Sequence, residues 1–281
     1  MRICIVSPHL DDAILSCGIL IQRRIAAGDA VFSLNIFSAG TNSENRKKED
    51  QRAQGEIGAS AFFLDELDAP DRDPQYKSLV KLFFGMLDAS HDAYIDKVAG
   101  RVEEFLEKNK IDMAWFPLAA GTHIDHRVAY EAGRRIKSVP VRFYEDRPYI
   151  LWPGVLQGRM NQIGSDAALP QVTEKMMRDT VHSYHYLKFF VPEGSYQQET
   201  LPLYIAAATQ KSAKTLRAKS EELTATDPEL KKIYRSLAMY DSQMPLIYSS
   251  YDNFIADSLA HEKALSGRTA YIEKSWTLEP T

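Results

Sequence analysis

Cysteine is nearly absent from this chain: two residues, Cys4 and Cys17, in 281. A disulfide framework is therefore excluded, and because both stand in apolar stretches they read as buried, reduced thiols. No apolar run approaches the ~20 residues that would span a bilayer. The first apolar run begins at once, with no charged-then-apolar leader before it, so a soluble cytoplasmic protein with no membrane partner is expected. Basic runs are missing too, and the net charge of −4 leaves no footprint for nucleic acid. No Gly-x-Gly-x-x-Gly follows the first apolar run, which counts against a dinucleotide site. There is no repeat of fixed period and no low-complexity segment. Hydrophobic residues, in contrast, make up 44% of the chain. That is ample for one large core, or for one domain with an appended C-terminal part.

Two polar clusters stand out against this background. The first is Ser7-Pro8-His9-Leu10-Asp11-Asp12, directly after the β-branched run Ile3-Cys4-Ile5-Val6. Such a run reads as a buried strand, and Pro8 ends it. Ala13 to Ala27 then carries Ile14, Leu15, Ile19, Leu20 and Ile25 at helical spacing. A His and two Asp thus stand on a strand-to-helix turn, the place where open α/β sheets hold ligands. The second cluster is Gly121-Thr122-His123-Ile124-Asp125-His126, again between a strand-like run (Met113 to Leu118) and a helical pattern. If the two strands are parallel neighbours, the clusters meet in space. Imidazole with carboxylate is a hard-to-borderline metal set.

The rest of the chain supports that arrangement. Strands are expected at Ala30–Phe37, Ala61–Leu64, Met113–Leu118 and Val139–Glu145, and helices at 46–58, 79–87, 94–109 and 124–137. The alternation predicts an α/β fold with a Rossmann-like, doubly wound, mainly parallel sheet of about five strands over residues 1–150. The acidic stretch from Asp65 to Ser78, with Pro70 and Pro74, reads as a long loop of the kind that often carries function. Beyond Tyr149 the periodicity thins. Leu201 to Leu223 reads as an interrupted helix and Pro228 to about Gln243 as another. Residues 151–281 are expected to pack on the core as a helical or irregular cap that shapes a substrate pocket, the whole forming one structural unit.

In their order and context, Pro8-His9-Leu10-Asp11-Asp12-Ala13 and His123-Ile124-Asp125-His126 resemble the motifs Pro-His-Pro-Asp-Asp-Glu and His-x-Asp-His of the PIG-L/LmbE-type zinc N-deacetylases. The resemblance covers about the first 150 residues. It implies one Zn2+ per chain on His9, Asp12 and His126, with other divalent metals able to replace it. It makes Asp11 the general base, His123 (as imidazolium) the stabiliser of the oxyanion, and Asp125 a carboxylate that orients a histidine. Arg46-x-x-Glu49-x-x-x-Ala53 matches a third signature, whose Arg would hold substrate hydroxyls, and Asp68 is a candidate for similar work. The implied reaction is hydrolysis of the N-acetyl group of an amino sugar or sugar conjugate, giving free amine and acetate. The implied partner is a small-molecule amino-sugar substrate, and oligomeric state stays open. The chain departs from the family at Ala13, where the motif usually has Glu.

Plainer readings compete at each position. Asp11, Asp12 or Asp125 could simply cap helices. His123 and His126 could be exposed loop histidines, and Arg46 could pair with Glu49 or Asp50 on a solvated helix. His182 and His185 look ligand-like but are read as ordinary histidines, because three zinc ligands are already supplied. His91 and His261 carry no context. At the level of function, the alternatives are a non-catalytic sugar-binding member of the family and a zinc amide hydrolase acting on another acyl group.

Overall fold

The computed structural model describes residues 1–85, 87–180, 201–209, 213 and 215–281. Its centre is a seven-stranded sheet in the order β3-β2-β1-β4-β5-β7-β6. The strands are β1 (Arg2–Ser7), β2 (Ala30–Asn35), β3 (Ser60–Phe63), β4 (Met113–Pro117), β5 (Val141–Tyr144), β6 (Leu216–Thr224) and β7 (Ile272–Pro280). The first five are all parallel, as the alternating pattern predicts. The helices between them are α1 (Asp12–Ala26), α2 (Ser43–Ile57), α3 (Ala69–Arg72), α4 (Leu79–Phe84), α5 (Asp92–Lys108) and α6 (Ile124–Gly133). Then come α7 (Val155–Gln162), α8 (Glu174–Thr180), α9 (Leu201–Thr209), α10 (Asp227–Leu237), α11 (Met244–Ile247) and α12 (Tyr251–Ser266).

Strand order makes the site. From β1 the chain moves outward to β2 and β3, then returns to place β4 on the other side of β1. The loops after β1 and β4 therefore leave in opposite directions and open a crevice at the carboxyl ends of the strands. Ile3 stands opposite Met113 and Ile5 opposite Trp115, so the two strands run side by side to that crevice. Both are buried on each face, which is why they read as continuous apolar runs rather than alternating ones.

The C-terminal part corrects the sequence reading. Of the expected helix from Leu201 to Leu223, Leu201–Thr209 is helical, Leu216–Thr224 is strand β6, and residues 210–212 and 214 lie outside the described residues. Residues 272–280, for which the sequence suggested no element, form β7, which pairs antiparallel with both β5 and β6. A nine-residue ladder to β7 overrides whatever helical preference Lys219, Glu221 and Glu222 carry. On an edge strand those charges also discourage pairing with another chain. The sheet thus has seven strands rather than about five, and the region beyond residue 150 extends it as well as lying over it. The helix expected to run to Gln243 stops at Leu237, and residues 65–78 hold the short α3 and a 3-10 turn.

Two features tie the C-terminal part to the core. Gly18 of α1 has no side chain because Ile233 of α10 lies against it; a Cβ there would sit 2.6 Å from Ile233 Cγ1. At Cys17 the helix α1 breaks its helical angles, and the freed backbone N–H groups of Ile19 and Leu20 donate to Glu273 of β7 at 2.8 and 3.1 Å. Glu273 thus caps the second half of α1 from a distant strand. Among the described residues, no helix is long and apolar enough to cross a membrane. Cys4 and Cys17 are free and buried.

Candidate active site

The turn after β1 is held by its own backbone. Ser7 Oγ donates to the carbonyl of His9 at 2.5 Å and accepts the N–H of Ala13 at 3.1 Å. The N–H of His9 donates to Asp12 Oδ2 at 2.9 Å. Asp11 occupies the N-cap position of α1, yet its carboxylate makes no capping bond. Ser7 has taken over that work, so the plain capping reading of Asp11 fails and its side chain is left facing a cavity of about 340 Å3. Ala13 is 1% exposed and lies in the apolar core.

The turn after β4 is held from elsewhere. Ala119 and Thr122 both take left-handed backbone angles, and Gly121 lies so close to Tyr149 that a Cβ would meet its ring at 2.2 Å. His123 is the N-cap of α6, with Nδ1 accepting the N–H of Asp125 at 3.2 Å. Asp125 is fully buried. Its Oδ1 accepts from Arg72 Nη2 at 2.6 Å, and its Oδ2 accepts from the N–H of Ala69 at 2.9 Å and from His9 Nε2 at 3.3 Å. His126 donates from Nδ1 to Asp146 Oδ1 at 2.7 Å, and Asp146 Oδ2 also accepts the N–H of Ala120.

The two turns meet. Asp12 Oδ2 lies 3.4 Å from His9 Nδ1 and 3.2 Å from His126 Nε2, and His9, Asp12 and His126 offer ligand atoms that all lie within 4.8 Å of one another. A second overlapping group of the same kind joins His9, His123 and Asp125. The fit to a metal can be judged from these atoms. Ligand atoms at 2.0–2.1 Å from a tetrahedral zinc stand about 3.3 Å apart, close to the spacings seen here. His126 Nε2 is buried with no hydrogen-bond partner, while Nδ1–H is committed to Asp146. A lone pair aimed at a carboxylate oxygen calls for a cation between them, and the donor set fits a divalent metal.

Electrostatics agree. Burial works against charge on His126, but Asp12 and Asp146 outweigh it and push the imidazole up to about 9. Burial is likewise outweighed at His9, where Asp68, Asp12 and Asp125 hold the imidazole well above its ordinary value. Asp12, despite burial, is held well below the usual carboxylate range by His126 and His9. This triad therefore attracts positive charge, whether protons or metal. Asp11 behaves oppositely: burial and the neighbouring Asp12 carboxylate push it up, against the pull of Arg46, His9 and His126. A carboxylate with raised proton affinity, free of structural bonds, suits a general base.

His123 departs from the expected imidazolium. Burial, then the charges of His9 and His126, hold it well below its ordinary value. With Nδ1 accepting a backbone N–H, the neutral ring carries its proton on Nε2. A ring in that state can donate a hydrogen bond from Nε2 without carrying positive charge.

Arg46 and Asp68 both line the cavity and face each other, Nη1 to Oδ2 at 3.9 Å. Arg46 does not pair with Glu49 or Asp50. Asp68 also caps α3 and stands 3.4 Å from His9 Nε2; burial opposes its charge, but His9 holds its carboxyl well below the ordinary range. Glu49 accepts the N–H and Oγ–H of Ser242 at 3.2 and 2.7 Å, and so fixes the turn that brings Gln243 to the cavity. His91 pairs with Asp88 near the surface. His261 is buried against the carbonyl of Leu151, and burial pushes it down to about 3. His182 and His185 lie outside the described residues.

The sequence reading assigned no role to Arg72 or Asp146. Asp146 stands two residues past β5 in Glu145-Asp146-Arg147-Pro148, and that polar run after a strand end was the available signal. Arg72 had none, because nothing in its surroundings marks it apart from other loop arginines.

Residues 4–137 match the family model described as PIG-L: GlcNAc-PI de-N-acetylase. No curated protein matches the chain. Among solved structures, one similar chain is the zinc inhibited form of teicoplanin deacetylase Orf2, 17% identical, with a TM-score of 0.68 over 100% of this chain and 99% of that one. The A40926 pseudoaglycone deacetylase Dbv21 is 16% identical, TM-score 0.64, over 99% and 97%. N,N'-diacetylchitobiose deacetylase from Pyrococcus horikoshii, complexed with its inhibitor MPG, is 12% identical, TM-score 0.51, over 99% and 84%. At these identities the likeness establishes the shared fold.

Proposed function

We propose, from the premise that residues 4–137 belong to the PIG-L family, that this protein is a metal-dependent N-deacetylase. It would hydrolyse the N-acetyl group of an amino sugar or sugar conjugate to the free amine and acetate. The observation that carries the reading is the convergence of His9, Asp12 and His126, with His9 and Asp12 lining the cavity and Asp11 beside them and uncommitted. We assign His9, Asp12 and His126 as ligands of one divalent cation, zinc being the natural occupant of such a set. When bound there, the cation acidifies water and polarises a carbonyl.

In this reading Asp11 accepts the proton of the attacking water and returns it to the departing amine. His123 donates from Nε2 to the oxygen that gains negative charge; losing one such donor costs about 3 kcal/mol. Asp125 and Asp146 orient His9 and His126 through their second ring nitrogens. Arg46 and Asp68 would hold sugar hydroxyls, since hydrogen bonds to charged groups are the strong ones. Residues beyond 150 form one unit with the core and complete the pocket through Gln243 and Ile247. Two buried free thiols are in keeping with a cytoplasmic setting.

A second reading is favoured by one feature: Leu15, Leu82, Phe83, Tyr149 and Ile247 give the cavity an apolar side. A longer acyl group would find burial there. The test is release of free acid from a panel of N-acyl glucosamines and their glycosides by the metal-loaded protein. Acetate release with turnover supports the leading reading. Faster release of longer acids moves the specificity to the second. Saturable binding of sugars with no turnover would make the protein a binding member of the family.

A further inference from the structure

Beside α6 lies a second, larger cavity of about 780 Å3. Its walls come from the α4–α5 connection, α5, α6, α7 and the start of β6. Four arginines line it, and three acidic residues (Asp88, Asp92 and Glu131) accompany them. The pairing is uneven. Arg135 is bound to Asp92 and Asp96 at 2.7 Å each, Arg134 stands 3.4 Å from Glu131, and Asp88 pairs with His91. Glu131 also lends its charge to Arg127 and Arg159 from a distance, but neither of them forms an ion pair with a lining carboxylate.

Arg127 and Arg159 are left over. Arg127 donates from Nη1 to the carbonyl of Gly85 at 2.5 Å, and Arg159 from Nε to the carbonyl of Leu118 at 2.7 Å. Neither forms an ion pair among the described residues. Arg159 is only 5% exposed, stacks over the Tyr130 ring at 4.3 Å, and has Nη2 buried with no hydrogen-bond partner. Burial holds its guanidinium below its ordinary value. Withdrawing a guanidinium from water without a counter-charge is costly, and buried donors are seldom left unpaired. Arg159, with its buried unpaired Nη2, and the half-buried Arg127 beside it both line one open cavity and so favour an anion there.

We infer that this cavity binds a phosphate-type oxyanion carried on a small organic molecule, with Arg127 and Arg159 as its paired anchors. Guanidinium forks match the geometry of phosphate oxygens and can engage them bidentately. The cavity is far larger than a bare ion needs, so the rest of the ligand would lie along Gln162 and the rim. This site is independent of the metal-binding reading. It touches the proposed active site only through the chain: Arg127 follows His126, and Gly85 follows Phe83 of the first cavity by two residues.

The test is calorimetric titration of the full chain with inorganic phosphate and with glucose 6-phosphate, in the metal-loaded and the chelator-treated protein. Saturable binding in both metal states, tighter for glucose 6-phosphate and weakened at least about tenfold by Arg127→Gln, is expected. Circular dichroism reports whether the variant folds. If it does not, Gln162→Glu, which sets a like charge on the exposed rim, serves in its place and should weaken binding to a similar degree. Inorganic phosphate binding as tightly as the sugar phosphate would overturn the organic-ligand part. Absence of saturable binding below about 10 mM, binding that vanishes with the metal, or equal affinity in the folded variant would overturn the site.

Discussion

The two turns that meet at the cavity are built on opposite plans. The turn after β1 is closed by bonds among Ser7, His9, Asp12 and Ala13, all within six positions of one another. The turn after β4 relies on groups brought from far along the chain: Asp146 behind His126, and Arg72 and the Ala69 N–H behind Asp125. The first plan frees a side chain, because Ser7 does the capping that Asp11 would otherwise do. The second spends buried polar groups on aiming imidazoles. Local closure thus leaves a carboxylate uncommitted, and distant closure orients imidazoles.

The largest effect should come from the freed carboxylate. Asp11→Asn is nearly isosteric and removes only the proton acceptor. We expect kcat to fall by about 10²–10⁴ with metal content and melting temperature unchanged. Single-turnover kinetics beside elemental analysis would show it. Full activity in this variant would break the assignment of the first turn.

A smaller effect is expected from the distant support of the second turn. Asp146→Asn keeps an acceptor for His126 Nδ1–H but removes the charge. Metal affinity should weaken by about 10–100-fold, read by competition with a chromogenic chelator. An unchanged affinity would mean that His126 is aimed by packing alone.

How legible this was from sequence follows the same division. Ile3 to Val6, Met113 to Phe116 and both polar clusters lie in short contiguous stretches, so strand, turn and candidate ligands could be read directly. The five parallel strands follow from the alternation. Asp146 and Arg72 act across 20 and 53 positions, a link that periodicity does not encode. The same holds for β6 and β7, whose pairing with each other and with β5 decides their form more than local preference does. The pull on His123 below its ordinary value comes from burial beside two other imidazoles, which only the packed structure reveals.

The smallest effect concerns the long-range cap at Glu273, which follows the second plan in another part of the molecule. Burial pushes this carboxyl from 4.5 up to about 7. A raised carboxyl favours the protonated form in the fold, so its contribution to stability is fully present below pH 4.5 and is lost as pH rises through 7. The stability difference between wild type and Glu273→Gln should therefore shrink, or turn in favour of the variant, between those values. The full change is at most about 3 kcal/mol. Urea unfolding at stepped pH would measure it, and a difference that grows with pH would show that the carboxylate is the preferred form.

The convergence of the two turns at one metal is the claim on which the rest depends. It is tested most directly by elemental analysis of the purified wild type and His126→Ala, prepared side by side and reconstituted with zinc. We predict about one equivalent of divalent metal in the wild type and little in the variant, with both proteins folded. No metal in either protein, or equal metal in both, would contradict it.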